Sequence, residues 1–370
     1  MTIGGLTLER RLEPSRWAQA GSLLLALVAA FAVGSLLILT SGAEIPAAVQ
    51  AFWQGAFGSR DALAETLVQA TPLILTGLAM VVAFRARVWN IGAEGQFFAG
   101  AMAMIWVTRS FPHLPGPIFF VSILVASAIG GAIWGLIPGA LKARFGTNEV
   151  VVTVMMNYVM QYLVSYVVGG IWRDPSSFYV ETSQIPEAAH FARILPPTRL
   201  HAGVFVALAC AGLVYVLLWK TWLGYEIRAV GSNPVASRHR GISVGTVFVV
   251  VMMISGALAG LAGGGEIAGL HFRLRLDIST GYGYTGIIVA LLARLNPIGA
   301  VFAAILFGAL VNGSTAMQIS TGVPVALVYA IQGLTLIFVL GADVLSRYRL
   351  RRTIAAPVPA ETPVGTTIDV

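Results

Sequence analysis

The sequence predicts an all-α polytopic membrane protein with about ten transmembrane helices. Of its 370 residues, 57% are apolar and only 11% are charged, whereas an average soluble domain carries roughly 25% charged residues. Apolar runs of about 20 residues, the length that crosses a bilayer, recur along the chain. The net charge of +7 comes from arginines in small groups between these runs, which favours membrane topology over nucleic-acid binding.

The first span follows Arg10, Arg11 and Arg16 and covers residues 20–40. This run exceeds the 7–15 apolar residues of a signal-peptide core, so we expect it to remain as an uncleaved helix. The other predicted spans are 62–84, 95–108, 117–141, 149–171, 201–219, 244–263, 283–293, 297–312 and 323–341. Those near Gly95, Gly283 and Pro297 are short, which predicts broken or re-entrant helices there.

An even number of spans places both termini on one side of the membrane. With cytoplasmic termini, most of the 23 Lys and Arg residues fall in cytoplasmic loops, as membrane orientation requires. The chain then divides into a cytoplasmic N-terminus (1–19), a transmembrane domain (20–345) with a cytoplasmic loop at 220–243, and a cytoplasmic tail (346–370). The sequence predicts that this tail, whose end is rich in Pro and Thr, is disordered.

The segment 88–96 places Asn90, Glu94 and Gln96 beside glycines between two apolar runs. Irregular backbone at membrane depth is tolerated where it lines a polar cavity or lies inside protein. These three side chains are therefore candidates for the solute pathway. The alternative is an ordinary turn at the membrane boundary, with Glu94 solvated or paired to Arg85 or Arg87.

A second glycine-rich interruption holds Glu266, Tyr282 and Tyr284, whose rings could stack on a planar solute. Asn157 lies in the middle of a predicted span, where a polar side chain either bonds another helix or lines the pathway. These four residues join the candidate pathway. For the two tyrosines, the alternative is the interfacial anchoring that is typical of tyrosine at span ends.

The loop 220–243 predicts a short helix that begins at Asn233 as N-cap and Pro234 as first residue, and ends near Gly241. A capped helix with Arg238 and Arg240 on the cytoplasmic side is typical of a docking element. A generic basic loop that follows the orientation rule is the alternative. Gly131, Gly135 and Gly139 recur every fourth position, as do Gly256, Gly260 and Gly264, which predicts close helix packing.

Several kinds of chemistry are excluded. Neither Lys142 nor Lys220 stands in a GxxxxGK[ST] motif, so the chain lacks this type of phosphate loop. Cys210 is the single cysteine and the five histidines are scattered, which leaves no paired-Cys or HExxH metal motif. The sequence therefore predicts that the chain is not an enzyme and binds no cofactor.

Four ordered segments resemble the permeases of bacterial ABC importers in the branched-chain amino acid, ribose and nucleoside group. Residues 88–96 are similar to the signature of the simple-sugar and nucleoside branch, and residues 148–158 (NEVVVTVMMNY) to its next characteristic stretch. Residues 231–242 are similar to the coupling loop, and residues 281–292 (GYGYTGIIVALL) also match. The resemblance extends over residues 62–342, whereas His239 and residues 271–277 match no role in that family.

The resemblance implies a type II-like ABC importer permease in the bacterial plasma membrane. Its partners would be a second permease subunit, related or identical, a cytoplasmic ABC ATPase that uses ATP and Mg²⁺, and an extracytoplasmic solute-binding protein. The residues implied for ATPase coupling are Gly231, Asn233, Pro234, Ala236, Arg238 and Gly241.

The cargo that the resemblance favours is a nucleoside or a related purine-like solute. The same machine could instead carry ribose, another simple sugar or a branched-chain amino acid. An ion-coupled secondary transporter with Glu94 or Glu266 as its coupling carboxylate is the alternative from a different class.

Overall fold

The computed structural model describes residues 2–3, 6–10, 16–346 and 348–352. The chain forms two compact units. One consists of Ser35–Gln332, and the other consists of the segments before Ser35 and after Gln332. The predicted pathway and coupling residues all belong to the unit Ser35–Gln332.

Helices account for most of the described chain. They are α1 (Arg16–Thr40), α2 (Ile45–Phe57), α3 (Arg60–Arg85), α4 (Ala93–Ser110), α5 (Gly116–Phe145), α6 (Glu149–Gly169), α7 (Gly203–Lys220), α8 (Trp222–Ser232), α9 (Pro234–His239), α10 (Val244–Glu266), α11 (Tyr282–Leu292), α12 (Pro297–Thr321) and α13 (Val325–Ser346). A π-helical turn, Ile267–His271, continues α10.

Each of the ten predicted spans contains a helix, and six described helices are long and apolar enough to cross a membrane. These six are α3, α5, α6, α7, α10 with its π-helical turn, and α12. A seventh is added if α1 and α2 are counted as one bent span. At 11 residues, α11 is roughly 16 Å long, about half of the hydrocarbon thickness.

The prediction of a short helix from Pro297 is wrong, because α12 runs for 25 residues to Thr321. The prediction stopped at Asn312, a polar residue that would be costly against lipid. In the structure the Asn312 amide donates hydrogen bonds to the carbonyl oxygens of Gly55 (2.8 Å) and Ala62 (3.0 Å). Because these bonds satisfy the amide group inside the protein, the helix continues past it.

The described terminal segments differ from the predicted all-helical fold. They form an antiparallel sheet in the order β1 (Thr2–Ile3), β2 (Leu6–Arg10) and β3 (Tyr348–Arg352). Sequence analysis assigned β3 to a disordered tail that begins at residue 346. The five residues of β3 pair with β2, which supplies hydrogen-bond partners that the local sequence does not reveal. Residues 353–370 lie outside the described part.

The central helix of the unit Ser35–Gln332 is α3. Its most apolar 18-residue window is 89% buried, and it packs against α7, α10, α11 and α12. A helix that is apolar on all sides can be surrounded by other helices rather than by lipid. The helices that carry the candidate site are therefore arranged around α3.

The two glycine repeats confirm the predicted close helix packing. A Cβ at Gly131 would overlap the carbonyl oxygen of Gly256 on α10, and a Cβ at Gly260 would overlap that of Ser127 on α5. Helix α4 approaches the same stripe, since Gly100 lies against the backbone of Gly260. Small residues thus bring three backbones together, as in other membrane helix bundles.

We expect Gly260→Leu to destabilise the protein by about 1–3 kcal/mol or more, because the added side chain would force apart α4, α5 and α10. The control is Gly212→Leu, since Gly212 is exposed on α7 with open space at its Cβ position. The measurement is the thermal midpoint of the detergent-solubilised variants. Equal midpoints for the two variants would contradict the packing role of Gly260.

Candidate functional site

Two interrupted helices begin beside each other at Glu94. Helix α4 starts at Ala93 after the non-helical residues 86–92, and α11 starts at Tyr282 after Gly281, which has a left-handed φ of 92°. The Gly283 N–H donates a hydrogen bond of 2.8 Å to Oε2 of Glu94. Since helix N-termini carry unpaired N–H groups and partial positive charge, one buried carboxylate stabilises both ends.

Gly283 allows this close approach. A Cβ at residue 283 would overlap the backbone nitrogen of Glu94. The sequence interpretation of this region as a glycine-rich break therefore has a geometric basis: the chain needs glycine where α11 meets α4. The pairing of Glu94 with Arg85 or Arg87, considered above, is wrong, because the carboxylate bonds to Gly283.

A closed amide network lies at the start of α4. The Nδ2 atom of Asn90 donates to Oε1 of Gln96 (2.8 Å) and to Oγ of Ser255 on α10 (2.9 Å), while its Oδ1 accepts from the Gly92 N–H (3.0 Å). The Ser255 hydroxyl in turn donates to the Ala79 carbonyl oxygen on α3 (2.8 Å). All the side chains of this network are buried, so the network fixes the turn 86–92 against α3 and α10.

Asn157 on α6 completes the attachment of this turn. Its Oδ1 accepts from the Gly95 N–H (2.8 Å), and its Nδ2 donates to the Ile91 carbonyl oxygen (2.9 Å) and to the Tyr284 hydroxyl (3.1 Å). Sequence analysis left open whether Asn157 bonds another helix or lines the pathway. The structure shows the first arrangement, since Asn157 joins α6 to both α4 and α11.

Tyr282 and Glu266 lie in different surroundings from this junction. The Tyr282 hydroxyl donates to Oε1 of Gln69 on α3 (3.3 Å). Gln69 donates to Glu65 (3.3 Å), which forms a bidentate pair with Arg199 at 2.6 and 3.1 Å. These contacts make a polar track along α3 that ends at Tyr282.

Glu266 lines a small cavity between α3, α7 and α10, with room for about one water molecule. Its Oε2 lies 3.5 Å from Nε2 of His271 and has no hydrogen-bond partner in the described part of the chain. The nearby His201, whose ring is buried, precedes α7. The cavity is too small for a sugar or a nucleoside in this conformation.

The loop between α6 and α7 is held to the segment after α10 by charge. The Arg273 guanidinium lies 2.8 Å from Glu181 and 3.4 Å from Asp174. Hydrogen bonds from Ser176, with a smaller contribution from Arg273, hold the pKa of Asp174 below its ordinary value. In the same segment Arg275 pairs with Asp277 at 3.0 Å.

Of the seven predicted pathway residues, six are buried: Asn90, Glu94, Gln96, Asn157, Glu266 and Tyr282. Tyr284 is the exception at 42% exposure, and its hydroxyl lies beside Asn157. In this conformation Asn90, Glu94, Gln96 and Asn157 fix the junction of α4 and α11, and Tyr284 alone among the seven is exposed.

Sequence reasoning missed the partners that complete these networks. Ser255 and Thr153 stand in apolar runs, and Thr153 accepts from the Ile91 N–H at 3.3 Å. An isolated polar residue in a span is itself a signal, which could have drawn attention to both. Gln69 lies in the first half of α3, and its contact with Tyr282 links residues far apart in the sequence.

Residues 231–242, which resemble the coupling loop and are called the coupling segment below, have the predicted helix cap. Asn233 Oδ1 accepts from the N–H groups of Val235 and Ala236, both at 3.0 Å, and α9 starts at Pro234. Helix α9 ends before Gly241, which has a φ of 82°. Of the residues that the resemblance implies for coupling, Asn233, Pro234, Ala236, Arg238 and Gly241 are exposed.

Gly231 differs from the other coupling residues because it is buried. A Cβ on it would overlap the carbonyl oxygen of Arg85 at the end of α3. Gly231 therefore brings α8 against α3, while the exposed surface belongs to the residues around α9.

Helices interrupted by glycine, buried polar networks between them and a short capped helix on a polar loop are typical of membrane transport proteins. Residues 62–340 match the family model described as the permease component of the branched-chain amino acid transport system. The chain belongs to this family of ABC transporter permeases.

Characterised relatives cover most of the chain. It is 39% identical to the guanosine ABC transporter permease protein NupP of Bacillus subtilis, over 85% of this chain and 91% of the relative. It is 34% identical to the glucose ABC transporter permease protein TsgB13 of Haloferax volcanii (93% and 94%), and 32% identical to the nucleoside ABC transporter permease protein NupB of Lactococcus lactis (85% and 89%). No solved structure matches the chain.

We expect Glu94→Leu to lower the free energy of unfolding by about 1–3 kcal/mol, because it leaves the buried Gly283 N–H without an acceptor. Glu94→Gln keeps an oxygen acceptor and should lose less stability. Glu187→Gln, at an exposed position outside the helix junction, is the control. Unfolding in detergent measures the difference, and full stability of Glu94→Leu would show that this carboxylate does not hold the junction.

Proposed function

We propose that this chain is the pore-forming subunit of an ATP-driven importer of nucleosides or related purine-like solutes. The observation that carries the proposal is the junction of α4 and α11, where the partly exposed Tyr284 lies beside an amide and a carboxylate. An aromatic face with a few fixed polar groups suits a planar heterocyclic ring that carries hydrogen-bonding edges. The names of NupP and NupB agree with this choice of cargo.

Simple-sugar transport is the second candidate, since the glucose relative covers most of the chain. Aromatic faces also pack against sugar rings, but the hydroxyls of a sugar need several polar partners. The polar atoms of Asn90, Gln96 and Asn157 already bond to the protein in this conformation. Nucleosides stay the first candidate because NupP and NupB, two of the three relatives named above, are a guanosine and a nucleoside permease by name.

The chain is proposed to act within a larger type II-like complex. A second permease subunit, a cytoplasmic ABC ATPase and an extracytoplasmic solute-binding protein complete it. ATP and Mg²⁺ bind to the ATPase, and this chain binds no cofactor of its own. Both termini face the cytoplasm of a bacterial cell, with about ten crossings of the plasma membrane, as the distribution of Lys and Arg supports.

The proposed transport step is an exchange between two conformations of the junction. Docking of the ATPase on the exposed face of α9 would displace α8, which contacts the end of α3 through Gly231. Because α4 and α11 are tied to each other and to α6, they would move as a group and expose Tyr284 and its neighbours to either side of the membrane in turn.

We expect cells with this gene to accumulate labelled guanosine or adenosine in an ATP-dependent manner, compared with a deletion strain. Unlabelled nucleoside should compete, whereas ribose, glucose and leucine should not. Competition by glucose or ribose would assign the cargo to simple sugars. Uptake that persists after ATP depletion and follows an ion gradient would contradict the ATP-driven mechanism.

Ala236→Trp should uncouple ATP hydrolysis from uptake, because a bulky side chain on exposed α9 would obstruct ATPase docking. A loss of about 2 kcal/mol of binding free energy at an interface position corresponds to a decrease of more than tenfold in uptake. Ala188→Trp, at an exposed position in the α6–α7 loop, serves as control. Uptake and the amount of permease in the membrane are measured together, and normal uptake by Ala236→Trp would refute the docking role of α9.

A further inference from the structure

We propose that Arg85 transmits movement from the coupling segment to α11, and so links ATPase docking to the solute site. This inference rests on the proposed function, since it assigns a positioning residue within the same transport cycle.

Arg85 is the last residue of α3, and its contacts join three other elements. Its Nε donates a 2.9 Å hydrogen bond to the carbonyl oxygen of Leu295, in the turn between α11 and α12. Its guanidinium carbon lies 5.1 Å from the ring centroid of Trp219, near the end of α7. Its own carbonyl oxygen lies where a Cβ on Gly231 of α8 would be.

The Trp219 ring also contacts a second cationic side chain. The Arg228 guanidinium carbon, on α8, lies 4.8 Å from the same ring centroid. Two guanidinium groups on one indole attract the ring but repel each other. A shift of α8 that moves Arg228 therefore changes the energy of the Arg85 contact directly, as transmission requires.

The turn that receives the Arg85 hydrogen bond has an unusual backbone. Arg294 and Leu295 have left-handed φ values of 52° and 57°, which cost energy for residues other than glycine. The Leu295 N–H bonds back to the Ala290 carbonyl oxygen at 2.9 Å, which ends α11. Arg85 thus holds the Leu295 carbonyl group in a strained turn. Loss of this hydrogen bond could allow the turn to relax.

Helix α11 connects this turn to the solute site. At its far end, Gly283 donates to Glu94 and Tyr284 accepts from Asn157. The helix is roughly 16 Å long and moves as a short rigid body. A displacement of the turn at Leu295 therefore reaches Tyr284 without any other connecting element.

The arrangement is specific to arginine. The planar guanidinium group can pack on the indole while its Nε donates to a carbonyl oxygen, whereas the ammonium of lysine is a point charge on a flexible stem. Arg85→Lys keeps the charge and should lose most of the coupling. Arg85→Gln removes both contacts.

The test uses the complete complex of permeases, ATPase and solute-binding protein in proteoliposomes. Two readouts are taken: guanosine imported per ATP hydrolysed, and the ATP-dependent distance between spin labels at Ile298, beside the α11–α12 turn, and Ile133 on α5. Both label positions are exposed, and Cys210→Ser removes the native thiol. The control is Arg144→Gln, an exposed arginine that packs on its neighbour Phe145 at 5.6 Å.

We expect Arg85→Gln to import about tenfold less guanosine per ATP, the effect of one lost hydrogen bond to a charged group. The ATP-dependent distance change should disappear in this variant while ATP hydrolysis continues. Arg144→Gln should match the unmodified complex in both readouts. If Arg85→Gln is not produced in the membrane, Arg85→Lys is measured instead.

Normal coupling and a normal distance change in the Arg85 variant would overturn the inference. So would a variant complex that no longer assembles with the ATPase, since Arg85 would then act in docking. A complex with unmodified Arg85 that hydrolyses ATP and shows the distance change, yet imports no guanosine, would refute only the proposed cargo. In that case the spin-label distances decide the role of Arg85.

Discussion

The hydrogen bond between Glu94 and the Gly283 N–H is the contact on which the site depends. Two helices that start inside the protein leave N–H groups unpaired at both starts, and lipid offers these groups no acceptor. A carboxylate in the first turn of α4 stabilises its own helix and accepts from the first turn of α11. The remaining polar groups of the junction are arranged around this contact.

Close packing makes that contact possible. Glycines on α4, α5 and α10 bring three backbones together, and Gly283 brings α11 against α4. With the helices this close, short side chains such as Asn90, Ser255 and Asn157 reach from one helix to another. The amide network is therefore a consequence of small residues as much as of polar ones. Its satisfied hydrogen bonds favour a single arrangement of the junction.

Arg85, at the end of α3, and the junction lie at opposite ends of α11. Gly231 and Arg85 attach α8 to α3, and Arg85 reaches the turn after α11. A short helix with a hydrogen-bonded junction at one end and a strained turn at the other suits a part that changes position between two states. The long helices α3, α5 and α10, packed over many residues, suit the fixed frame.

The sequence by itself determined the helical membrane class, the family, the glycine-packed stripes, the capped α9 and the breaks before α4 and α11, because each depends on residues near one another in the chain. Tertiary structure alone decided which polar groups meet. Asn312 is satisfied by α2 and α3, so α12 continues; β3 has regular structure because β2 pairs with it; and Arg85 contacts α7, α8 and the α11–α12 turn. Such partners are distant in the sequence, and hydropathy records the cost of burying a polar group but not the neighbour that offsets it.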